Sequence, residues 1–459
     1  MYISEQAQAL AAAVHRGPVG DFAPRTPTER LLYVAIISIP VAWLLGFGEL
    51  VWLPIGLVLL YQLIRNRPRI LVPRPFLLWV AFMTVAFLAS FDLVVSGEVF
   101  RTHTFFLAIY VVGTLLFLFV FNAEASEIAD KPLIGAVALL WVITVAGGVL
   151  AIPLNQVDYE SPGTDLLSAV DADERLLSYT RVQFADRRNL GAEVDGFLGA
   201  DRVRARSFYS ETNHWGSAFA IALPAALMLV AMLKPSRVRS MLGVAFAAGL
   251  GTLVLSQNRW VWVVLLFTLA YAASRFWRPR PAHLVWAALV LAVGVIAFSA
   301  TPIGDVVSAR LSDGDGTGYR QEIYDLAFDR ITEAPLLGFG QAISSGDAGY
   351  DGEFMDDRPI GFDSQIVNTM IFHGVPALLL LGAWLLSLVG GSARLQNPVE
   401  AVTHFAAVTA VLHSGFYVLL PHRMMLLMVL AAALYRGRVL DGSYPLSGLI
   451  GLRRQRRPT

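Results

Sequence analysis

The chain has 459 residues, of which 56% are hydrophobic and only 15% are charged, and its 35 basic residues balance its 35 acidic ones. Soluble domains are about 45–50% apolar and about 25% charged, so this composition argues against a soluble enzyme. The net charge of zero gives no sign of a nucleic-acid partner, and the absence of cysteine excludes disulfides and thiolate metal sites.

Apolar residues are gathered in blocks long enough to cross a membrane as helices, since about 20 helical residues span the hydrocarbon core. In chain order, about twelve transmembrane helices are predicted near residues 31–48, 50–64, 76–94, 104–122, 133–153, 214–233, 240–256, 259–275, 283–300, 374–391, 401–420 and 423–436. The predicted fold class is therefore an all-α polytopic membrane protein with two extracytoplasmic insertions, the second containing an amphipathic helix.

These elements divide the chain into seven segments. They are a cytoplasmic N-terminus at 1–30, membrane segments of five, four and three helices at 31–153, 214–300 and 374–436, an outer insertion at 154–213, a large outer loop at 301–373 and a basic cytoplasmic tail at 437–459. The distribution of Lys and Arg predicts the side of the membrane on which each segment lies, because these residues are enriched in the cytoplasmic loops of membrane proteins. The stretches "RNRPR", "LKPSRVR" and "GLRRQRR" all fall on the side of the N-terminus, which places both insertions outside. The connection "NAEASEIADK" is acidic where this orientation places it inside, a mild conflict with the rule.

The first insertion mixes acidic residues with seven arginines between Arg175 and Arg206. A solvated surface in which the charges balance accounts for most of them. Arg204 and Arg206 differ, because they stand at the membrane edge beside "SETNH", and an unpaired arginine there is costly unless it meets an anion.

The second insertion begins with "LSDGDGTG", in which Asp313 and Asp315 have the spacing of a calcium loop. Such a loop needs a Glu at its twelfth position, where Tyr324 stands, so a glycine-rich turn is favoured instead. The residues that follow have an apolar side at helical spacing, which consists of Arg320, Ile323, Tyr324, Ala327, Phe328 and Ile331. This pattern predicts an amphipathic helix that ends at Pro335 and lies over the bundle at the outer membrane surface.

Two arginines occupy unusual places. Arg320 lies at the start of this amphipathic helix, where a cation opposes the helix dipole, so it is expected to have an anionic partner. Arg259, in "VLSQNRWVWVVLL", stands at the outer end of a predicted span. It could be an interfacial arginine that snorkels beside Trp260 and Trp262. Together with Arg204 and Arg320, however, it favours a shared anion site.

The four stretches together resemble the O-antigen ligase and Wzy polymerase superfamily of polytopic membrane glycosyltransferases. "RARSFYSETNHWG" is similar to a family segment in which Arg precedes Pro-Asn at a span start; Arg204 and Asn213 match, and Thr212 replaces the Pro. "SQNRWVW" is similar to the family's Ser-x-Ser-Arg-Gly segment, with Arg259 as its Arg.

The other two stretches lie in the second insertion and the span after it. "YRQEIYDLAFDRITEAPLLGFG" resembles the family's Arg-leading helix, with Arg320, Pro335, Gly338 and Gly340 in matching positions. "DSQIVNTMIFHGVPALLLL" resembles the ligase pattern His-(Asn/Ser/Gln)-nine residues-Gly. Ser364 and Gly374 match this pattern, whereas Asp363 stands where ligases have His.

The resemblance implies an enzyme of the bacterial cytoplasmic membrane, with its active site facing outside, that takes glycans from undecaprenyl pyrophosphate. Its partners would be this donor, a glycan or lipid-glycan acceptor and membrane lipids. Arginines suit a pyrophosphate leaving group, because guanidinium groups stay charged and bind two phosphate oxygens at once. Arg259 and Arg320 would be catalytic, Arg204 and Arg206 would bind the donor, and neither a metal nor a cofactor is expected.

The acceptor hydroxyl must lose a proton during transfer. Asp363 is the first candidate to accept it, with His214 or Glu211 as alternatives. Asp363 could instead serve only as the N-cap of the following helix. Glu211, Asn213, His214, Ser364 and His373 are expected to contact substrate, although His373 could instead be structural.

The departure at Asp363 favours a polymerase over a ligase that delivers the glycan to a lipid or other surface acceptor. A different class, a transporter of lipid-linked glycans, predicts charges deep in many spans and paired broken helices. A non-catalytic scaffold or sensor would not need three arginines at one outer site.

Overall fold

A computed structural model gives the fold. It describes residues 2–3, 5–67, 69–91, 101–169, 177, 180–188, 202–256, 258–278, 315–344, 360–361 and 364–453. Its α-helices are α1 Glu5–Ala13, α2 Pro27–Leu44, α3 Trp52–Asn66, α4 Phe76–Ala89, α5 Arg101–Phe121, α6 Asp130–Leu150, α7 Pro162–Ala169, α8 Thr212–Met232, α9 Arg237–Leu255, α10 Arg259–Phe276, α11 Asp315–Glu333, α12 Gln365–Ser392, α13 Pro398–Ser414 and α14 His422–Leu440. The protein is therefore mostly helical, as predicted.

The predicted spans correspond closely to these helices. Helices lie at eleven of the twelve predicted positions, and the twelfth, 283–300, lies outside the described residues. Within the described part of the chain, six helical stretches are long and apolar enough to cross a membrane. They are Pro27–Leu44, Thr104–Phe121, Asp130–Leu150, Thr212–Met232, Arg237–Val254 and Gln365–Ser392. The total of about twelve spans remains a prediction, as do the two insertions.

Local sequence explains where helices begin. The Thr26 side chain accepts a hydrogen bond from the Glu29 N–H at 3.0 Å, and the Glu29 carboxylate accepts one from the Thr26 N–H at 3.1 Å. The first turn of α2 has N–H groups without a partner inside the helix. This reciprocal capping box supplies hydrogen bonds there, and Pro27 follows with no N–H of its own. Asn397 caps α13 in the same way, accepting from the Glu400 N–H at 2.9 Å.

Short strands pair near the helix ends. They are β1 Tyr2–Ile3, β2 Arg69–Pro73, β3 Asp158–Tyr159, β4 Val182–Gln183, β5 Ala185–Arg188, β6 Arg202–Ala205, β7 Trp277–Arg278 and β8 Leu449–Arg453. Four antiparallel two-stranded sheets result, β1 with β7, β2 with β8, β3 with β4, and β5 with β6. Leu71 lies opposite Gly451 in the second sheet, and Asp186 lies opposite Arg204 in the fourth.

Contacts between distant segments sort the connections into two groups. Lys131 pairs with Asp21 at 3.1 Å, and the Asn122 side chain accepts from the Leu71 N–H of β2 at 2.7 Å, so the α5–α6 connection lies beside the sheet of β2 and β8. At the opposite end, the Tyr159 hydroxyl donates to the Leu44 carbonyl oxygen at 2.7 Å. We name this second end the insertion end, at which residues 45–51, 151–169, 180–188, 202–211, 256, 258 and 415–421 meet.

Small residues bring α8 against α6 at the centre of the bundle. A Cβ added to Gly148 would lie 2.6 Å from the Trp215 ring, so only glycine allows this approach. The Trp215 indole donates to the Thr144 carbonyl oxygen at 2.8 Å, and Thr144 Oγ1 lies 2.6 Å from the Tyr209 hydroxyl. This close contact fixes where the chain emerges from the bundle at residues 207–214.

The predicted amphipathic helix exists as α11, which packs against α12. Ile323, Ala327 and Ile331 of its apolar side are buried. Phe328 is 51% exposed, so this residue does not share the buried side as predicted.

Candidate functional site at the insertion end

Arg204 reaches the connection between α9 and α10. It lies in β6 and is 8% exposed, and its Nε donates to the carbonyl oxygen of Ser256 at 3.2 Å. Ser256 ends α9 and stands three residues before Arg259. The structure thus places an arginine of the first predicted insertion beside the start of α10.

Arg259 is the first residue of α10, and its turn is held from several sides. The Asn258 side chain caps the helix, accepting from the Val261 N–H at 3.3 Å, and also accepts from the Tyr417 hydroxyl. The Trp260 indole donates to the Leu412 carbonyl oxygen at 3.3 Å. These contacts anchor the turn that carries Arg259 to the end of α13.

Ser364 lies against the same end of α13. Its hydroxyl contacts the Ser414 carbonyl oxygen at 3.3 Å and accepts from the Val367 N–H at 3.3 Å. The N-cap of α12 is therefore Ser364, and the alternative that Asp363 provides this cap is wrong. Asp363 itself lies outside the described residues, directly before Ser364.

The turn after α11 docks onto a break in α12. At Gly374 the backbone has φ 79° and ψ 174°, a conformation almost restricted to glycine. The Phe339 N–H donates to the Ile371 carbonyl oxygen at 2.7 Å, and the Val375 N–H donates to the Pro335 carbonyl oxygen at 2.8 Å. The break leaves backbone N–H and carbonyl groups of α12 without partners inside the helix, and the turn forms hydrogen bonds with them.

Glycines permit this backbone-to-backbone contact. Gly338 has a φ of 66°, and a Cβ there would overlap the Ile371 carbonyl oxygen. A Cβ on Gly374 would overlap the Leu336 carbonyl oxygen. The motif glycines therefore connect α11, which carries Arg320, to α12, whose N-cap is Ser364. The side chain of Arg320 lies outside what the structure describes.

His373 lies in the interior, further along α12 than Ser364. It is 1% exposed, and its ring centroid lies 5.9 Å from that of Phe82 and 5.8 Å from that of Tyr110. Nine residues separate it from Ser364, which is about 13 Å along a helix. The structure places His373 in an aromatic core between α4, α5 and α12.

The remaining predicted residues surround the start of α8. The Arg206 guanidinium donates to the Gln183 side chain on β4. Glu211 stands at the N-cap position of α8 without a side-chain capping bond, and Asn213 is half-buried in the first turn. His214 is 7% exposed and faces a buried carboxylate, Glu49.

Glu49 is a residue that the sequence interpretation missed. It lies in the connection between α2 and α3 and is 5% exposed. Its Oε1 accepts from the Ser210 hydroxyl at 2.7 Å and lies 3.4 Å from Nδ1 of His214. A lone acid between two apolar blocks was the available signal, since ionisable residues within a membrane bundle are functional candidates by default.

Charge and burial act on Glu49 in opposite directions. Burial alone would raise the pKa of this carboxyl. The hydrogen bond from His214 and the electrostatic influence of His422, His214 and Arg423 outweigh burial and hold the pKa of Glu49 well below its usual range. Glu49 is therefore ionised near neutral pH. Within the described residues, no group of three His, Asp or Glu side chains is arranged to hold a metal ion.

Comparison with known proteins identifies one part of the chain. Residues 243–382 match the family model described as O-antigen ligase. This stretch contains Arg259, Arg320 and the interlocked glycines, whereas Arg204 and His214 precede it. No curated protein matches the chain at a significant level. The long apolar helices indicate a membrane protein, and its residues 243–382 are similar to the O-antigen ligase family.

Proposed function

We propose that the protein is a glycosyltransferase that takes glycan from an undecaprenyl-pyrophosphate donor at the outer face of the cytoplasmic membrane. One observation supports this most strongly. Three separate segments, which carry Arg204, Arg259 and Ser364, meet at the insertion end. Arg204 contacts Ser256 just before the turn of Arg259, and both this turn and Ser364 contact the end of α13. Two of the three belong to the stretch that matches the O-antigen ligase family.

The proposed reaction exchanges one glycosidic bond for another. The bond from the donor sugar's anomeric carbon to the pyrophosphate oxygen breaks, and a bond from that carbon to the acceptor hydroxyl oxygen forms. Negative charge grows on the departing pyrophosphate, which leaves as undecaprenyl pyrophosphate. Arg204, Arg259 and Arg320 stabilise this charge, because preorganised cations aimed at developing charge are a large catalytic effect.

The hydroxyl proton needs an acceptor, for which we propose Asp363. A sugar hydroxyl is far less acidic than a carboxylic acid, whose pKa is about 3.9 for Asp, so Asp363 cannot remove the proton beforehand. It can accept the proton while the new bond forms. Because Ser364 already caps α12, the carboxylate of Asp363 is not needed as the cap.

Two versions of this activity differ in the acceptor. A polymerase extends another lipid-linked glycan, and Asp363 in place of the ligase histidine favours this version. A ligase delivers the glycan to a lipid or other surface acceptor, and the matching family is described as O-antigen ligase.

One experiment tests the activity and separates the two versions. Purified protein in lipid nanodiscs is incubated with a fluorescent undecaprenyl-pyrophosphate oligosaccharide, alone or with a candidate acceptor lipid. Chain growth on the donor alone supports the polymerase, and transfer only to the added lipid supports the ligase. Arg259→Ala provides the inactive control. Movement of the donor across the membrane without any new covalent product would overturn the proposal in favour of a transporter.

A further inference from the structure

A second group of polar residues is buried at the insertion end, apart from the arginines. We name it the Glu49 cluster and define it as Glu49, Ser210, His214 and His422, with exposures of 5%, 5%, 7% and 1%. Its members come from the α2–α3 connection, the segment before α8, and the first turns of α8 and α14. Buried polar groups are costly unless they bond one another, so their arrangement calls for a reason.

The hydrogen bonds of the cluster determine which nitrogen of His214 carries the proton. Ionised Glu49 can only accept, so the single hydroxyl proton of Ser210 goes to its Oε1 at 2.7 Å. Nδ1 of His214 lies 2.8 Å from the same Ser210 oxygen, which now can only accept. Nδ1 of His214 therefore bears the hydrogen, and in the neutral form of the ring the lone pair is on Nε2.

His422 has the opposite tautomer. The Trp52 indole nitrogen can only donate, and it donates to Nδ1 of His422 at 2.8 Å. The hydrogen of neutral His422 is therefore on Nε2, which lies 3.9 Å from Oε2 of Glu49. Oε2 of Glu49 thus faces the N–H of His422 at a distance longer than a hydrogen bond, whereas Oε1 is linked to His214 through Ser210. Among the described contacts, Nε2 of His214 has no partner, so this lone pair is available to a ligand.

Helix geometry relates this lone pair to the arginine site. Successive residues of an α-helix are rotated by about 100°. A Cβ on Gly216 would lie 2.9 Å from Nδ2 of Asn258, so Gly216 faces the turn of Arg259. On the helix circumference, half-buried Asn213 then lies between Gly216 and His214. A substrate that covers Asn213 can present its pyrophosphate to the arginines and a hydroxyl to His214.

We infer that Glu49, acting through Ser210, is a positioning residue that presets Nε2 of His214 as a hydrogen-bond acceptor for a sugar hydroxyl of the substrate glycan. A lone pair on Nε2 requires a donor such as a hydroxyl, which an ionised phosphate does not offer. The inference rests on the proposed glycosyl transfer and adds a glycan-binding group to it. The hydroxyl belongs to either the acceptor or the donor sugar.

Steady-state kinetics of the purified protein in nanodiscs test this role, with donor and acceptor concentrations varied separately. Glu49→Gln keeps the shape but adds an amide donor, which removes the preference for a hydrogen on Nδ1 of His214. We expect KM for the contacting glycan to rise roughly tenfold, the scale of one lost hydrogen bond, while kcat changes little. A rise in KM for the acceptor assigns the hydroxyl to that sugar, and a rise for the donor assigns it to the donor sugar.

A matched pair at His214 keeps the test decisive if Glu49→Gln folds poorly. The amide of His214→Gln can place an oxygen near the position of Nε2, whereas His214→Asn reaches only the position of Nδ1. Gln is expected to retain a lower KM than Asn. His404→Gln changes a buried histidine that contacts Tyr271 far from the cluster, and it should leave KM unchanged.

Two outcomes would overturn the inference. Equal KM values for His214→Gln and His214→Asn would do so, as would a folded Glu49→Gln protein with wild-type KM for both substrates. If the wild-type protein makes no product, the proposed function itself fails, which is a distinct result from active protein with insensitive variants.

Discussion

Nε of Arg204 donates a hydrogen bond to the carbonyl oxygen of Ser256 at 3.2 Å, across 52 residues of sequence. Ser256 ends the helix before Arg259, so this one bond fastens the segment before α8 to the start of α10. Arg204 and the first residue of α10, Arg259, are thereby held at the same end of the bundle, an arrangement that suits a polyanionic ligand.

The arginines should be essential for transfer. Arg259→Ala and Arg320→Ala are each expected to abolish product formation while the protein still folds and inserts. Arg259→Lys and Arg320→Lys should retain little transfer activity, because a lysine is a point charge and cannot contact two phosphate oxygens at once. Product lengths in cells and nanodisc assays measure this. Arg181→Ala is the control, since Arg181 is 57% exposed in a surface pair with Asp158 and such pairs contribute little. Normal product lengths in both alanine variants would show that Arg259 and Arg320 are not needed for transfer.

Asp363 can be tested without disturbing the helix that follows. Asp363→Asn and Asp363→Ala should both lower the transfer rate by roughly a hundredfold or more, the scale expected for a lost general base. Both should leave thermal stability unchanged, because Ser364 caps α12. Donor binding should survive in both variants. The control is Asp329→Asn, on an exposed part of α11. An active Asp363→Asn protein would shift the proton-accepting role to Glu211 or His214.

Gly374 should be irreplaceable at the break in α12. Gly374→Ala forces a Cβ into the Leu336 carbonyl oxygen at a φ of 79°. Such strained backbone positions cost about 1–3 kcal/mol, so we expect lower thermal stability in detergent and lost activity. Gly382→Ala lies in the same helix with no atom within 4 Å of the added Cβ, and it should be neutral or slightly stabilising. Equal melting temperatures for the two variants would contradict this account of the turn.

The orientation in the membrane can be measured directly because the chain contains no cysteine. Glu160 and Glu124 are exposed residues in connections at opposite ends of the bundle, and each can be replaced by a single cysteine. Glu160→Cys should react with an impermeant maleimide in intact cells, whereas Glu124→Cys should react only after permeabilisation. The reverse pattern would refute the outer location of the arginines and the mechanism that depends on it.

Acid should weaken the contribution of Glu49 to stability. Its folded pKa lies below the value of about 4.3 for an unperturbed Glu, so the ionised form stabilises the fold. This contribution is fully present above the unfolded pKa and is lost as the pH falls through the folded pKa. The melting temperature of Glu49→Gln should therefore lie further below that of wild type at pH 7 than at pH 3. Glu333→Gln, in a half-exposed surface pair, is the control. A difference that does not depend on pH would show that the charge of Glu49 is not stabilising.

Local properties of the sequence were enough to predict the class of protein and most of its helices. Length and hydrophobicity of a block decide whether it can span a membrane, and capping residues such as Thr26 and Asn397 show where helices begin. The motif glycines Gly338, Gly340 and Gly374 were identified by their resemblance to the family pattern, and each has a positive φ in the structure.

The tertiary structure alone decided which side chains meet. Glu49 contacts Ser210 and His214 across more than 160 residues, and this depends on which helices neighbour one another in the bundle. The same holds for His373, which the motif suggested as a substrate contact and which lies among the rings of Phe82 and Tyr110. Hydropathy records that a helix is buried in the membrane, but it does not record its neighbours, because lipid and protein interiors are equally apolar.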